Sequence, residues 1–432
     1  MATSSIGVQN AINTNLSTAD FLFSSGGGQC SLKPMMFTGN AAECGKGRAA
    51  QARVATNTRK APARAQKIVT NIFGAADIRL DGERPWDITV HDERFYRRVL
   101  ATGTLGFGES YMDGWWDCAA LDQMCFRALR SHLEERMRIS FREAIDVVVA
   151  IILNLQTKGR ARAVAQRHYD LGNDFFQAML DPAMQYSCAY FRDTDDLAVA
   201  QRQKMDLICR KLGLAAGMRL LDIGCGWGGL SKYAAENYGC AVVGITISEQ
   251  QQRFAEVFCR GLPIEIRLQD YRDVKESFDR IVSVGMLEHV GFKNYRRYME
   301  SAFRCLKDEG LFLCQVIGDI ASQARRDPWI ARYIFPHSML PSAARVTRAA
   351  EKLFVLEDVH NFGAFYDRTL MAWETNVRRA WPQFKDRHGE RFLRMWRFYL
   401  LSCAGAFRAR SLELFQFVFS KGGVLGGYSA LR

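Results

Sequence analysis

Leu221-Asp222-Ile223-Gly224-Cys225-Gly226-Trp227-Gly228-Gly229 is the stretch that decides the fold, because a strand-like apolar run passes there into a glycine-rich turn. Similar short runs rich in β-branched residues recur beyond it, separated by segments of helical pattern. Together the runs are residues 219–223, 241–247, 264–268, 278–284 and 311–317. Strands that alternate with crossover helices predict an α/β fold with a mostly parallel, Rossmann-like sheet and a site at the carboxyl ends of its strands. Residues 414–419 predict a closing antiparallel strand, and Ser248 followed by Gln251 predicts a capping box.

The glycine turn predicts a nucleotide site, since glycines let a ligand approach backbone N–H groups closely. Its spacing is GxGxGG, unlike the GxGxxG of dinucleotide sites, and Asp222 stands two residues before the first glycine. The second strand ends in Thr246, where a NAD site uses an acid on the ribose. Both details favour S-adenosylmethionine, whose cationic methionine end Asp222 can help to hold. Asp270-Tyr271 can offer a carboxylate and a ring to adenine, although an ordinary strand-end turn would look the same.

Composition excludes several classes of protein. The twelve cysteines contain no CxxC pair and the seven histidines no HExxH motif, so neither a metal site nor a disulfide framework is predicted. Reduced thiols indicate a cytoplasmic protein. The most apolar stretch, 144–155, is shorter than the roughly 20 residues that cross a bilayer. We therefore expect a soluble or peripheral protein.

Half of the net charge of +12 lies in residues 1–67. This segment is rich in small and polar residues and lacks an apolar period, which predicts a disordered basic tail. An inert tail, an over-extended start and a targeting peptide remain open as its role. The mild basic excess elsewhere is compatible with docking on anionic phospholipid and supports a nucleic-acid partner only weakly, so none is expected.

The chain divides by pattern into three parts. Residues 68–155 mix strand-like pieces with a glycine-rich turn at 103–108 and helical stretches at 121–133 and 141–155, which predicts a small N-terminal domain. A polar, basic linker at 156–166 opens the catalytic domain, which we expect to span 156–432.

Several long motifs resemble the cyclopropane-fatty-acyl-phospholipid synthases and the related mycolic acid cyclopropane synthases. They are His168-Tyr169-Asp170-Leu171-Gly172-Asn173-Asp174, Gln185-Tyr186-Ser187-Cys188-Ala189-Tyr190, Val284-Gly285-Met286-Leu287-Glu288-His289-Val290-Gly291, Tyr333-Ile334-Phe335-Pro336, His360-Asn361-Phe362-Gly363 and Ala404-Gly405-Ala406-Phe407-Arg408. The likeness spans roughly residues 75–432. Residues 108–116 resemble the small N-terminal domain that the phospholipid-acting branch has and the mycolic-acid branch lacks. The resemblance implies the fold of class I S-adenosylmethionine-dependent methyltransferases, acting on unsaturated phospholipid acyl chains.

The resemblance also implies site residues. Seven positions match those around the cofactor in this family and join Asp222 and Asp270: Tyr186, Ser187, Gly224, Gly226, Thr246, Gln251 and Tyr271. A bicarbonate ion is thought to serve the family as the base that removes a proton when the ring closes. Its cage is matched by Glu288, Ile317, Tyr366 and the backbone N–H of Cys188. The ring of Tyr366 could also stabilise a cation on the acyl chain.

Two further positions are expected in or near the catalytic site. Gln315 stands where many relatives have a cage histidine, and it hydrogen-bonds but cannot titrate near neutral pH. Cys403 matches a cysteine that has long been regarded as a possible active-site residue, although the mechanism gives a thiol no obvious task.

These motifs predict a methylene transfer that forms cyclopropane fatty acids, carried out by a homodimer at the inner surface of the membrane. A relative that leaves a methyl or methylene branch is the nearest alternative. A nucleic-acid methyltransferase, suggested by the basic charge, and a non-catalytic cofactor-binding protein, suggested by Gln315, are the others.

Overall fold

The computed structural model of the chain describes residues 51–133, 172–322, 327–336 and 338–432. The described α-helices are α1 (Gln51–Gly74), α2 (Arg94–Met112), α3 (Leu121–Arg130), α4 (Asn173–Met179), α5 (Leu197–Lys211), α6 (Gly229–Tyr238), α7 (Glu249–Phe258), α8 (Tyr295–Cys305), α9 (Pro328–Tyr333), α10 (Ala343–Ala350), α11 (Ala364–Ala380) and α12 (Lys385–Arg408). The described strands are β1 (Thr89–Val90), β2 (Trp116–Asp117), β3 (Arg219–Ile223), β4 (Ala241–Thr246), β5 (Ile264–Leu268), β6 (Phe278–Val284), β7 (Leu306–Asp319), β8 (Val355–Asn361) and β9 (Leu412–Ser420). Residues Val54–Arg432 form one compact unit.

A seven-stranded sheet organises this unit, with the strand order β5-β4-β3-β6-β7-β9-β8. Strands β3 to β7 pair in parallel, whereas β9 is antiparallel to both of its neighbours. The chain therefore starts the sheet at its centre, winds outward to one edge and then returns to build the other half. Ligands bind outside the carboxyl ends of strands where such an order reverses. Here that point is the β3 end, where the glycine turn lies.

Helices cover both faces of the sheet, as the apolar runs require. Alternate residues of a strand point to opposite faces. Leu221 and Ile223 join a core that α8 completes, whereas Leu220 joins a core that α5 completes. The continuous apolar runs of the sequence are thus explained by burial on two sides.

The predicted mostly parallel sheet is confirmed. The runs at 219–223, 264–268 and 278–284 have the bounds of β3, β5 and β6, and the run at 241–247 overruns β4 by one residue. The predicted closing strand is β9, which pairs antiparallel with β7. The sequence did not predict strand β8. It lies at the edge of the sheet, and its residues are largely exposed and polar, so it has no continuous apolar run.

Two expectations for the N-terminal region need correction. Helix α1 begins at Gln51, inside the segment expected to be a disordered tail, and Ala65, Val69 and Phe73 bury one face of it at helical spacing. The expected turn at 103–108 lies within α2, which bends at Gly103 (φ 56°) and continues. A kinked helix and a loop cannot be distinguished at this position from the sequence, because glycine clusters are typical of both.

The N-terminal helices pack against α9 and α12 by close approach. A Cβ at Gly108 would lie 2.5 Å from the Trp329 indole, whose Nε1 donates to Met112 Sδ at 3.3 Å. Phe398 meets the Trp329 ring at 4.6 Å between centroids. Arg394 donates to the carbonyls of Tyr111 and Trp116. These contacts join residues 65–133 and α12 in a common core.

The predicted division of the chain near residue 155 stays a prediction, because the predicted helix at 141–155, the predicted linker at 156–166 and the first residues of the 168–174 motif lie outside the described residues. In the ranges that are described, no helix combines the length and apolar character needed to cross a bilayer.

We expect Gly108→Ala to lower the free energy of unfolding by about 1–3 kcal/mol, since the added methyl overpacks the interface with Trp329. Gly74→Ala is the control, because nothing lies within 4 Å of a Cβ there. Urea unfolding of both variants and the parent checks this. An unchanged midpoint for Gly108→Ala would contradict the packing argument.

Candidate active site

The glycine turn joins β3 to α6 through backbone conformations that L side chains rarely adopt. Gly224, Gly226 and Gly228 have φ values of 83°, 57° and 87°. Glycine is required at these positions for its conformational freedom. The last glycine serves a different need, since a Cβ on Gly229 would overlap the Ala183 carbonyl oxygen. The turn therefore faces the neighbouring chain segment with no side chain between them.

A single cavity at the carboxyl edge of the sheet contains all of the predicted cofactor residues in its wall. They are Tyr186, Ser187, Asp222, Gly224, Gly226, Thr246, Gln251, Asp270 and Tyr271. Met286, His289 and residues Ile334, Phe335 and Pro336 complete one side of the wall. Residues from six separate parts of the sequence thus meet in one place. Their contacts with the cofactor itself stay predictions.

Asp222 is a buried carboxyl group at the end of β3. Ser231 Oγ donates to its Oδ2 at 2.8 Å. Burial raises the pKa of Asp222 to about 6, against the opposing effects of Ser231 and the nearby Lys204 ammonium. A cationic ligand beside it would favour the ionised form.

The β4 end holds Thr246 and the start of α7. Ser248 Oγ accepts from Gln251 N at 3.4 Å, so the predicted cap is confirmed. The reciprocal half of the capping box is replaced, because Thr246 Oγ1 donates to the Gln251 side-chain oxygen at 2.9 Å. This pair gives the cavity a hydroxyl and an amide of fixed orientation.

Asp270 and Tyr271 follow β5 as predicted, but the carboxylate is engaged. Arg272 binds it through two nitrogens, at 2.7 and 2.6 Å. The Tyr271 ring is buried and meets Tyr298 edge-on at 5.0 Å between centroids. An adenine amine would therefore share Asp270 with Arg272.

The predicted catalytic residues form a second cluster, and of the described residues that line the cavity none belongs to it. Glu288 Oε1 accepts from the Ile317 N–H at 2.7 Å, which joins the loop after β6 to β7. Burial raises the pKa of Glu288 to about 7. Gln315 shares a face of β7 with Ile317, two residues away.

Tyr366 links the other members of this cluster. It lies on α11 and is buried, and burial raises the pKa of its hydroxyl, with further contributions from Cys188, Tyr186, Glu288 and Cys403. The Cys188 Sγ donates to the Ala189 carbonyl at 3.3 Å. Burial also raises the pKa of Cys403 to about 12, so its thiol stays protonated near neutral pH. These groups are thus within electrostatic range of Tyr366, although they span more than 200 residues of sequence.

Sequence reasoning missed three buried polar residues behind these sites. Gln416 Nε2 donates to Gln315 Oε1 at 2.9 Å across the β7–β9 pair. Gln201 and Lys204 on α5 contact the Gln185–Ser187 segment. A signal for the lysine existed, since Lys204 shares the helical spacing of buried Ala200 and Ile208.

Comparison with known proteins agrees with this geometry. The family model described as mycolic acid cyclopropane synthetase matches residues 156–417. The cyclopropane-fatty-acyl-phospholipid synthase of Escherichia coli (strain K12) is 52% identical over 356 residues, which cover 82% of this chain and 93% of that protein.

Solved structures give the same result. The cyclopropane synthase MmaA2 from Mycobacterium tuberculosis is 32% identical with a TM-score of 0.57, covering 62% of this chain and 100% of its own. The mycolic acid cyclopropane synthase CmaA1 in complex with SAH and CTAB is 34% identical with a TM-score of 0.57, covering 60% and 98%. A shared sheet, a cavity at its carboxyl edge and these matches lead to one conclusion: the chain belongs to the mycolic acid cyclopropane synthetase family.

Proposed function

We propose that this chain transfers a methylene from S-adenosylmethionine to the cis double bond of unsaturated phospholipid acyl chains and so forms cyclopropane fatty acids. The observation that carries the proposal is the 52% identity, over 93% of its length, to the Escherichia coli phospholipid synthase. The cavity supports it, because the nine predicted cofactor residues line one wall. S-adenosylmethionine supplies an electrophilic methyl group on a sulfonium.

The residues of the cavity suit the two ends of this cofactor. Asp222 offers a carboxylate to the cationic part of the cofactor. Ser187, Thr246 and Gln251 offer hydrogen-bonding groups to its ribose and carboxylate oxygens. Tyr271 offers a ring face to adenine. Alkene chemistry needs no protein nucleophile, which agrees with the protonated state of Cys403. Cys403 stays a predicted site residue without a chemical step.

The catalytic cluster fits a small ion that both donates and accepts hydrogen bonds. Glu288 Oε2 and Gln315 Nε2 are buried and have no hydrogen-bond partner within the described part of the chain. Buried polar atoms are nearly always partnered, so these two atoms support the proposal of a bound ion. Bicarbonate has a hydroxyl for the carboxylate oxygen and oxygens for the amide, and when bound it supplies the base for the proton lost on ring closure.

The protonation of Glu288 makes such a neighbour possible. Two buried anions with no proton between them would repel each other, but bicarbonate carries a proton, and a pKa of about 7 lets Glu288 hold one near neutrality as well. Gln315 adds a donor whose charge does not depend on pH. Tyr366 offers its ring to positive charge that develops on the acyl chain.

Substrate access and assembly complete the proposal. A net charge of +12 supports attraction to anionic phospholipid at the inner membrane surface. We also propose a cytoplasmic homodimer, as the resemblance implies. The nearest alternative, a methyl or methylene branch in place of the ring, begins with the same methyl transfer and differs in the later steps of the cation that the transfer creates.

Incubation of the full chain with labelled S-adenosylmethionine and monounsaturated phospholipid vesicles tests the function. We expect label in acyl chains that gain one CH₂ and resist catalytic saturation under conditions that reduce alkenes. Saturated phospholipid vesicles are the control. Label in branched acyl chains would favour the methyl or methylene branch as the product. Unlabelled acyl chains would contradict the proposed function.

Gln315→Leu is expected to lower kcat by about 10²-fold, the size of a general-base contribution, without changing affinity for S-adenosylhomocysteine. Stimulation by added bicarbonate in depleted buffer should disappear. Unlike Gln315→Leu, the Gln315→His variant should be active above pH ~6.5. It should lose activity at lower pH, where its imidazole is charged. Full activity of Gln315→Leu would refute the role of this amide.

Glu288→Gln is expected to change how stability depends on pH. Because the folded pKa of about 7 lies above the ordinary value of 4.5 for a glutamic acid, the stability from this group is complete below pH 4.5 and falls as pH rises to about 7. The variant should therefore match the parent at low pH and exceed it by about 1–3 kcal/mol at pH 8. Urea unfolding across this range, with the exposed Glu83→Gln as control, measures the difference. Parallel curves for the parent and Glu288→Gln would contradict the buried, proton-binding acid.

A further inference from the structure

Helix α5 carries two fully buried polar side chains that hold one wall of the cofactor cavity. Lys204 Nζ donates to Gln185 Oε1 and, at 3.0 Å, to Ser187 Oγ. Gln201 Nε2 donates to the Ser187 carbonyl at 2.9 Å and to the Gln185 carbonyl at 3.3 Å. Both residues are 0% exposed. Every one of these contacts is made to Gln185–Ser187, the segment that precedes Cys188.

A lysine at this position is unfavourable for stability alone. No carboxylate lies within 4 Å of Nζ among the described ion pairs, and the nearest acids, Asp181 and Asp222, act only at longer range. Burying a charge without a paired counterion is costly, whereas an apolar side chain of similar volume would pack at no such cost. Burial lowers the pKa of Lys204 to about 8, so the ammonium stays mostly charged at neutral pH. The charge therefore has a use other than packing.

The ammonium group determines which hydrogen-bonding role the Ser187 hydroxyl takes toward it. An ammonium donates three hydrogen bonds and accepts none, so the Ser187 oxygen must act as the acceptor. The hydroxyl hydrogen is left to be donated elsewhere. Within the described residues no acceptor takes it, and Ser187 lines the cavity. The hydroxyl thus offers its hydrogen to a ligand.

We propose that Lys204 is a positioning residue that fixes the Ser187 hydroxyl as a donor to the carboxylate of the cofactor's methionine end. The positive charge one layer behind Ser187 favours an anionic group at this point and disfavours the sulfonium and the amine. Asp222, in the same cavity wall, then receives the cationic groups. The inference rests on the proposed use of S-adenosylmethionine and adds the direction in which its amino-acid end lies.

Calorimetry with two ligands tests this without measuring turnover. S-adenosylhomocysteine has the carboxylate, whereas 5′-methylthioadenosine has the adenosine and the sulfur but lacks the amino-acid end. We expect Lys204→Met to weaken S-adenosylhomocysteine binding about tenfold and to leave 5′-methylthioadenosine within twofold, as for one charge-assisted hydrogen bond. Ser187→Ala should do the same, and the double variant should be no weaker than either single one, since both changes remove one interaction.

Lys211→Met is the matched control. Lys211 is also 0% exposed, lies two turns along α5, and contacts Asp358 at 3.1 Å and His360 at 3.2 Å, outside the cavity wall. It should lower the unfolding midpoint and leave the ratio of the two affinities unchanged. If Lys204→Met fails to bind 5′-methylthioadenosine, Lys204→Gln replaces it, because an amide keeps a donor and removes the charge.

An equal loss of affinity for both ligands, or additive losses in the double variant, would overturn the inference, since either result describes a merely structural lysine. Failure of the parent chain to bind S-adenosylhomocysteine would instead overturn the proposed function. The two failures are therefore distinguished by the parent protein alone.

Discussion

The cofactor site depends on the contact of two backbone segments. The Ala183 carbonyl lies where a side chain on Gly229 would be, so the segment 183–187 rests directly on the start of α6. Gln201 and Lys204 bind the same segment through hydrogen bonds to Ser187. Because Tyr186 and Ser187 line the cofactor cavity and Cys188 belongs to the predicted catalytic cluster, one short stretch connects both places. A shift of its backbone would move both together.

Burial then tunes the chemistry of the groups that this arrangement encloses. The pKa of Asp222 rises to about 6 and that of Glu288 to about 7, whereas that of Lys204 falls to about 8. All three shifts have desolvation as the largest cause, since a low-dielectric interior disfavours the charged form. These groups change charge more readily near neutral pH than they would in water. A cationic cofactor beside Asp222 and an anion beside Glu288 are both compatible with such groups.

The N-terminal helices take part in the same core. Trp329 packs on Gly108, while the next residues of its segment, Ile334 and Phe335, reach the cofactor cavity. Tyr333 Oη donates to Glu109 Oε1 at 2.9 Å. This segment therefore has one end in an N-terminal interface and the other in the wall of the cofactor cavity. A packing change at Gly108 is thereby coupled to the cavity wall.

Sequence alone determined the parallel sheet and its glycine turn, because the period of burial and the special φ values of glycine are local properties. It also identified nine of the residues in the cavity wall, through motifs that keep their order along the chain. Tertiary structure decided the rest. The Gln315–Gln416 pair, the Lys204 contacts and the joining of Glu288 to Ile317 form between residues 17 to 101 positions apart. Strand order and helix packing set such contacts, and so does the desolvation that shifts each pKa. No single segment of the sequence determines these contacts or the desolvation.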